Sequence, residues 1–257
     1  MKNIIITLCA LAAMTAALTA GAQNLQLHYD LRHTISPATN PKNFPTLYFE
    51  FWKMRDSSRH LIKPGGFLLK TEADLQGLNN NIGKFFLQVS QSFRAWTPRI
   101  FLQLQYSGGG GITEPKQYSY YITNTYQGGA EVPFRWKQAF LTAVLDYKYV
   151  SYPKPTSDPI FTLYWYRGFF HHKLEFAGDF SVWTGNRNHG DEPTTGEKGK
   201  QGFFFAEPQV WYNAGKGLSI GSKLNCYYHV NIPADSWQAY PTLAVRINVQ
   251  EMRLPKN

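Results

Sequence analysis

The sequence predicts an all-β chain, a closed antiparallel transmembrane β-barrel of about 12 strands around a narrow polar and aromatic lumen. The first observation is Leu25 to Arg32, which alternates without a break. Leu25, Leu27, Tyr29 and Leu31 fall on one strand face, and Gln26, His28, Asp30 and Arg32 on the other. The second is that this two-residue rhythm returns along the whole chain. The third is that no later segment has the roughly 18 consecutive apolar residues of a spanning helix. The longest clean runs resemble Phe140 to Leu145.

The first residues read as an export signal. Met1-Lys2-Asn3 is a short basic start, Ile4 to Leu18 is apolar, and Ala20-Gly21-Ala22 supplies the small-residue cleavage pattern. Residues 1–22 are therefore expected to be a cleaved secretory signal peptide, 23–249 the barrel domain and 250–257 a C-terminal tail. The apolar run is short for a membrane anchor, and no Cys follows it where a lipoprotein needs one. Loss of Cys9 with the signal leaves Cys226 alone, so an intramolecular disulfide is excluded from the exported chain.

The net charge of +9 comes from scattered Lys and Arg with no basic run, which argues against nucleic acid as a partner. A solvated surface and an anion-attracting pore accommodate it equally well. The aromatic content of 16% suits interfacial girdles and stacking surfaces.

After the opening strand, His33 to Phe44 reads as a loop rich in Pro, Asn, Ser and Thr. Leu47, Phe49 and Phe51 then oppose Tyr48, Glu50 and Trp52. Arg55 to Gly65 is a polar connection, and from Phe67 onward Leu69, Ala73 and Leu75 oppose Lys70, Glu72, Asp74 and Gln76. The asparagine-rich Gly77 to Gly83 is a turn. Phe85, Leu87 and Val89 next alternate with Phe86, Gln88 and Ser90. A break at Trp96 to Pro98 precedes Ile100, Leu102 and Leu104 set against Phe101, Gln103 and Gln105. Gly108 to Gly111 has neither a lysine nor a helical pattern behind it, so it reads as a flexible loop and not a phosphate cradle.

Tyr118 to Val132 is a strand with Tyr121, Thr123, Thr125, Gln127 and Glu131 on its polar side, ending at a tight Val132-Pro133-Phe134 turn. Ala139 to Tyr147 sets Leu141 and Leu145 against Phe140, Thr142, Asp146 and Lys148. Ser151 to Pro159 is a proline-rich loop. Phe161, Leu163 and Trp165 oppose Thr162, Tyr164 and Tyr166, before a turn at Arg167-Gly168. Leu174, Phe176, Phe180 and Val182 oppose Lys173, Glu175, Asp179 and Ser181. Gly185 to Gln201 is the longest loop, and its acidic residues match no calcium-loop spacing. Ala206, Pro208, Val210 and Tyr212 oppose Phe205, Glu207, Gln209, Trp211 and Asn213, and Asn213 to Gly217 is a turn. Leu218, Ile220, Leu224, Cys226 and Tyr228 oppose Ser219, Lys223, Asn225, Tyr227 and His229. After an Ile232 to Ser236 loop, Leu243, Val245 and Ile247 oppose Tyr240, Thr242 and Arg246.

Alternation alone does not say which face is wet, because a soluble sandwich also has one face of each kind. Three features favour lipid outside. The strands approach the ~9–11 residues that a tilted strand needs to cross a bilayer. The apolar faces carry no charge, as they must if Lys or Arg at mid-bilayer costs ~2–4 kcal/mol. The polar faces mix acids, bases and large aromatics. From about the third connection onward, long and short connections also alternate. Arg55 to Gly65 is too long for the short side.

With the polar face inside, the expected pore-lining and solute-binding charged residues are His28, Asp30, Arg32, Glu50, Lys70, Glu72, Asp146, Glu175, Glu207, Lys223 and Arg246. The aromatics expected beside them are Tyr48, Phe101, Tyr121, Phe140, Tyr164, Trp211 and Tyr227. Such side chains leave a slot where rings stack on a flat polar solute and charged groups hydrogen-bond to it. A salt-bridge network that fills the barrel, giving a structural or receptor-type protein, is the alternative. An outer-membrane lipid hydrolase is a third. Ser181 and Ser219 fall on the polar face, however, and no His stands suitably spaced on the apolar one. His171-His172 lies in a turn without a third partner, so neither metal nor cofactor is expected and the chain does not read as an enzyme.

Four stretches carry a family resemblance: the exported start, Leu27-His28-Tyr29-Asp30, the run Phe205-Ala206-Glu207-Pro208-Gln209-Val210-Trp211-Tyr212-Asn213, and Tyr240-Pro241-Thr242-Leu243. They resemble the nucleoside-specific outer-membrane channel (Tsx-like) family, in an uncharacterised branch of it. The resemblance implies a monomeric barrel of the Gram-negative outer membrane that passes nucleosides or similar small polar solutes by diffusion. Its partners would be outer-membrane lipids and, during assembly, the barrel-insertion machinery. The carboxyl end departs from the pattern: Val245 to Val249 has no aromatic residue for that machinery to read, and Gln250 to Asn257 continues beyond it.

Overall fold

In the computed structural model the described residues are 22–54, 62–96, 99–113, 118–230 and 235–250. Residues 1–21 of the expected signal (1–22), 251–257 of the expected tail (250–257), and parts of the connections at 55–61, 97–98, 114–117 and 231–234 lie outside them.

The strands are β1 (Ala22–Asp30), β2 (Phe44–Met54), β3 (Lys63–Asp74), β4 (Lys84–Arg94), β5 (Phe101–Ile112), β6 (Ser119–Trp136) and β7 (Ala139–Val150). They continue as β8 (Thr156–Phe169), β9 (Leu174–Asn186), β10 (Lys200–Ala206), β11 (Gln209–Gly215), β12 (Leu218–Tyr228) and β13 (Trp237–Gln250). Each pairs antiparallel with its neighbours, and β13 closes on β1 with Leu27 opposite Val245. Segments β10 and β11 both lie between β9 and β12, one above the other. They are two halves of a single wall strand interrupted at Glu207-Pro208, so the closed barrel has 12 wall positions. Closure leaves no terminal edge strand and pairs the backbone of the wall's central belt within the sheet, as a lipid setting demands.

The burial is inside out relative to a water-soluble protein. Outward Leu243 is 63% exposed, Leu145 60% and Leu27 51%, whereas His28 and Ser219 on the inner face are at 0%. An apolar outer belt of this kind is stable only against lipid. Aromatic contacts continue up the outer wall toward the loops, where Phe204 meets Trp237 at 5.1 Å and Trp237 meets Tyr228 at 5.0 Å. They form an aromatic cluster on the outer wall over β10, β12 and β13.

The connections sort onto two rims. One rim carries the longer loops, among them 31–43, 75–83 and 187–199, and the other carries short turns such as 137–138 and 216–217. In the loop 187–199 the Thr194 hydroxyl hydrogen-bonded to Asp191 holds that carboxyl below its ordinary value.

Several boundaries differ from the sequence reading. Arg32 opens a short helical turn, Arg32–Ile35, because β1 ends at Asp30. Strand β3 starts at Lys63, and a bulge between Pro64 and Phe67 restores its alternation, which shortens the connection read as Arg55 to Gly65. Gly108 to Gly111 is strand and not loop, paired with β4 on one side and β6 on the other. Glycine is required there: a Cβ on Gly109 would run into the Phe85 carbonyl oxygen, and one on Gly111 into the Tyr120 ring.

Strand β6 runs through Val132-Pro133-Phe134 to Trp136, with Pro133 opposite Thr142, so the turn falls at Lys137-Gln138. Pro159 pairs with Tyr147 inside β8, which leaves 151–155 as the loop. Arg167 and Gly168 also belong to β8, opposite Phe176 and Glu175, and the turn is at 170–173. Arg167 is thus a charge on the outward face near the turn rim. It folds over Phe169 at 4.6 Å and donates to Gln138 at 3.3 Å, keeping its head away from the lipid belt. Likewise β11 extends to Gly215, leaving Lys216-Gly217 as the turn.

Candidate functional site

The lumen divides into a packed side and an open side. On the packed side, formed by β1, β2 and β11–β13, Trp211 is the bulkiest fully buried residue. His28 is fixed between Thr242 Oγ1, 2.9 Å from its Nδ1, and Gln26 Oε1, 2.8 Å from its Nε2. Its ring meets Tyr48 edge-on at 4.8 Å and Trp211 at 5.8 Å. With both nitrogens occupied and the ring enclosed, His28 is a structural post.

Charged groups complete the packing. Lys223 Nζ donates to Glu207 at 2.7 Å and to the Tyr48 hydroxyl, and sits 3.7 Å from the Tyr48 ring centre. Lys70 reaches across from β3 to the other Glu207 oxygen. Glu207 stands at the interruption, on the inward face it shares with Phe205 and Gln209, between the two lysines. Its N–H donates to the Asp179 carbonyl at 2.9 Å, and Gly178 (φ 148°) leaves the space that a Cβ would take from Glu207 and Pro208.

Arg246 donates to Glu175 at 2.6 Å and to Ser219 at 3.2 Å, with its guanidinium 4.6 Å above Trp211. Toward the loop rim, Arg32 makes a two-pronged pair with Asp30 at 2.8 and 3.1 Å and lies over Phe44 and Tyr240. Lys84 bridges Glu72 and Asp74, each at 3.0 Å.

The open side holds a cavity of about 1210 Å³. Of the sequence-predicted residues, Glu50, Lys70, Glu72, Phe140, Tyr164, Glu175, Glu207 and Arg246 line it. His28, Asp30, Arg32, Tyr48, Trp211, Lys223 and Tyr227 belong instead to the packed side and rim. Phe101 and Asp146 face inward but are sealed in the wall. Arg94 lies 5.2 Å over the Phe101 ring, and Gln103 donates to Asp146 at 3.4 Å.

Tyr121 is placed wrongly by strict alternation. Between Ser107 and Gly109 the ladder to β6 shifts, skipping from Thr125 to Ile122, which inverts the faces of the strand beyond. Tyr121 is therefore turned out, 79% exposed against Tyr152, while Ile122 enters the cavity wall. A bulge leaves no mark in a single sequence except, here, the adjacent glycines.

Trp183, a lining residue not foreseen, was in principle legible, since it continues the inward series Glu175, Asp179, Ser181. Glu50 and Asp179 on the cavity wall have no ion pair or side-chain hydrogen bond among the described residues, and Glu131 has only the Ser92 hydroxyl at 3.2 Å. The cavity wall thus carries carboxylates without a cationic partner (Glu50, Glu131, Asp179) as well as lysines without an ion pair among the described residues (Lys148, Lys173, Lys216).

A closed wall, lipid-compatible outside and charged, aromatic and hollow inside, defines a transmembrane β-barrel with a solute-sized lumen. The chain belongs to the family described as a domain of unknown function (DUF5020), whose model matches residues 22–249. No curated protein matches it.

Among solved structures it is similar to LpxR from Salmonella typhimurium at 10% identity, covering 88% of this chain and 99% of that one, with a TM-score of 0.42. It is also similar to the NanC porin at 8% identity, covering 88% and 99%, with a TM-score of 0.47. A third is OccAB3 of Acinetobacter baumannii at 8% identity, covering 89% and 98%, with a TM-score of 0.42.

Proposed function

We propose that the protein is a channel of the Gram-negative outer membrane through which small polar solutes, nucleosides among them, diffuse passively. On this proposal residues 1–22 are the export signal, residues 23–249 are the barrel, and the protein works as a monomer among outer-membrane lipids after delivery by the insertion machinery. The observation that carries it is the cavity of about 1210 Å³, large enough for a nucleoside-sized solute and walled by aromatic rings beside hydrogen-bonding charged groups.

Tyr164, Phe140 and Trp52 offer ring faces on that wall, and Glu50 and Asp179 offer free acceptors for hydroxyl or amino donors. Stacking of ~1–3 kcal/mol per base gives preference without trapping the solute. Passage suits the serines better than hydrolysis does. Ser181 is bonded to Thr162 at 2.7 Å and Ser219 to Asn213 at 2.5 Å, and no histidine among the described residues is hydrogen-bonded to either.

The test is flux into liposomes carrying the protein, comparing nucleosides with sugars of equal size. A size-corrected preference for nucleosides is expected. Equal flux would remove the nucleoside preference, and no flux would favour a receptor-type or structural barrel. Fatty acid released from phospholipid would instead favour the hydrolase.

A further inference from the structure

Lys70, Lys148 and Arg246 are the strand-borne cations of the cavity wall. Lys70 is paired with Glu207 and Arg246 with Glu175. Lys148 on β7 has no ion pair or hydrogen bond among the described residues, and its ammonium rests 4.1 Å from the centre of the Trp183 ring.

Two carboxylates stand near it, and neither takes it. Asp158, its register partner on β8, is occupied by Lys200 at 2.9 Å, by the Thr184 hydroxyl at 2.9 Å and by the Thr156 hydroxyl. Asp146 lies two residues back on the same face, about 7 Å along the strand, and accepts from Gln103. Around Lys148 the cavity wall is neutral and rich in donors: Gln127, its partner on β6, then Thr125, Ser107, Thr162 and Ser181.

A lone ammonium facing this cavity, backed by an aromatic face and ringed by hydroxyls and amides, presents a charge and a set of donors that an oxyanion complements. We propose that Lys148, with the Gln127 and Thr125 side chains beside it, is a binding site for a carboxylate or phosphate group of a small solute, on the loop-rim side of the cavity. The site rests on the channel reading only for its role in passage; as a binding site it stands alone. Glu131, Glu50 and Asp179 lie deeper toward the turn rim and repel an anion, so the oxyanion is held at Lys148 and not spread along the lumen.

The experiment is calorimetric titration of the detergent-folded full chain with inorganic phosphate and, separately, with acetate, at low chloride. Wild type and Lys148→Arg are expected to bind, and Lys148→Met to bind about tenfold or more weakly. A heat-modifiable gel shift confirms that each variant is folded. Tighter binding of phosphate than of acetate would assign the site to phosphorylated solutes, and the reverse to carboxylic acids. Equal binding by Lys148→Met, or none by wild type, overturns the site. In a parallel bilayer recording, block of the conductance by whichever anion binds more tightly places the site on the route of passage, and calorimetric binding without such block keeps the site and removes that role. Calorimetric binding without any conductance supports the site and removes the channel.

Discussion

Lys70 on β3 and Glu207 at the interruption between β10 and β11 meet inside the barrel in an ion pair, and Lys223 holds the second Glu207 oxygen at 2.7 Å. One carboxylate therefore ties three wall segments together. Glu207→Gln leaves two enclosed ammonium groups without their counter-charge, a loss on the order of 3 kcal/mol. Urea unfolding in lipid vesicles, followed by tryptophan fluorescence, should show a lowered midpoint. Lys70→Met should cost less, because Lys223 still neutralises Glu207. An unchanged midpoint for Glu207→Gln would mean that water already screens the pair.

Glu50, Glu131 and Asp179 stand on the cavity wall without an ion pair among the described residues, and on the channel proposal they favour cations there. The triple variant Glu50→Gln, Glu131→Gln, Asp179→Asn is expected to shift the reversal potential in a potassium chloride gradient toward anion preference. A chloride-selective conductance in the wild type would count against these groups lying on the path that the channel proposal requires.

The outer belt predicts a depth-dependent cost. Leu243→Arg and Leu145→Arg, on strongly exposed outward positions, should each lower folding efficiency into vesicles by ~2–4 kcal/mol where the position is central and less toward the rims. In a water-soluble protein the same changes at residues 60–63% exposed would be close to neutral.

Two glycines separate backbone need from mere permissiveness. Gly109→Ala forces a Cβ into the Phe85 carbonyl and should loosen the β4–β5 seam. Gly202→Ala meets nothing within 4 Å and should be silent. Amide exchange along β4 and β5 distinguishes the two. Equal protection in both variants would show that the seam yields without cost.

The aromatic-free carboxyl end makes a further point testable. Deleting residues 250–257 is expected to leave insertion intact, read as a retained heat-modifiable gel shift. Loss of the shift on truncation would give the tail a part in assembly.

Which residues face inward was legible wherever a strand kept strict pairing. Gln26, His28 and Asp30 on β1 and Tyr240, Thr242 and Arg246 on β13 all lie where alternation puts them. What could not be read depends on the neighbouring strand. The faces of Tyr121 and Ile122 are set by a register shift against β5, and Gly108–Gly111 looks like a loop until a strand lies on each side. Pro133 looks like a turn because it lacks an N–H, yet near the rim the ladder tolerates the missing donor. The site was half legible for a similar reason. Alternation brings His28, Trp211 and Tyr164 alike to the inside, and only three-dimensional packing decides that the first two fill space while Tyr164 borders the cavity.

The closing seam sets Gln23 opposite Gln250, on the same rim as the Lys216-Gly217 turn. Chain order and wall order are therefore separable: a circular permutant that joins those ends through a short linker and opens at Lys216-Gly217 would trace the same cylinder with a different first strand. Its refolding into vesicles would tell whether closure of β13 on β1 is merely the last event of synthesis or a step the fold depends on.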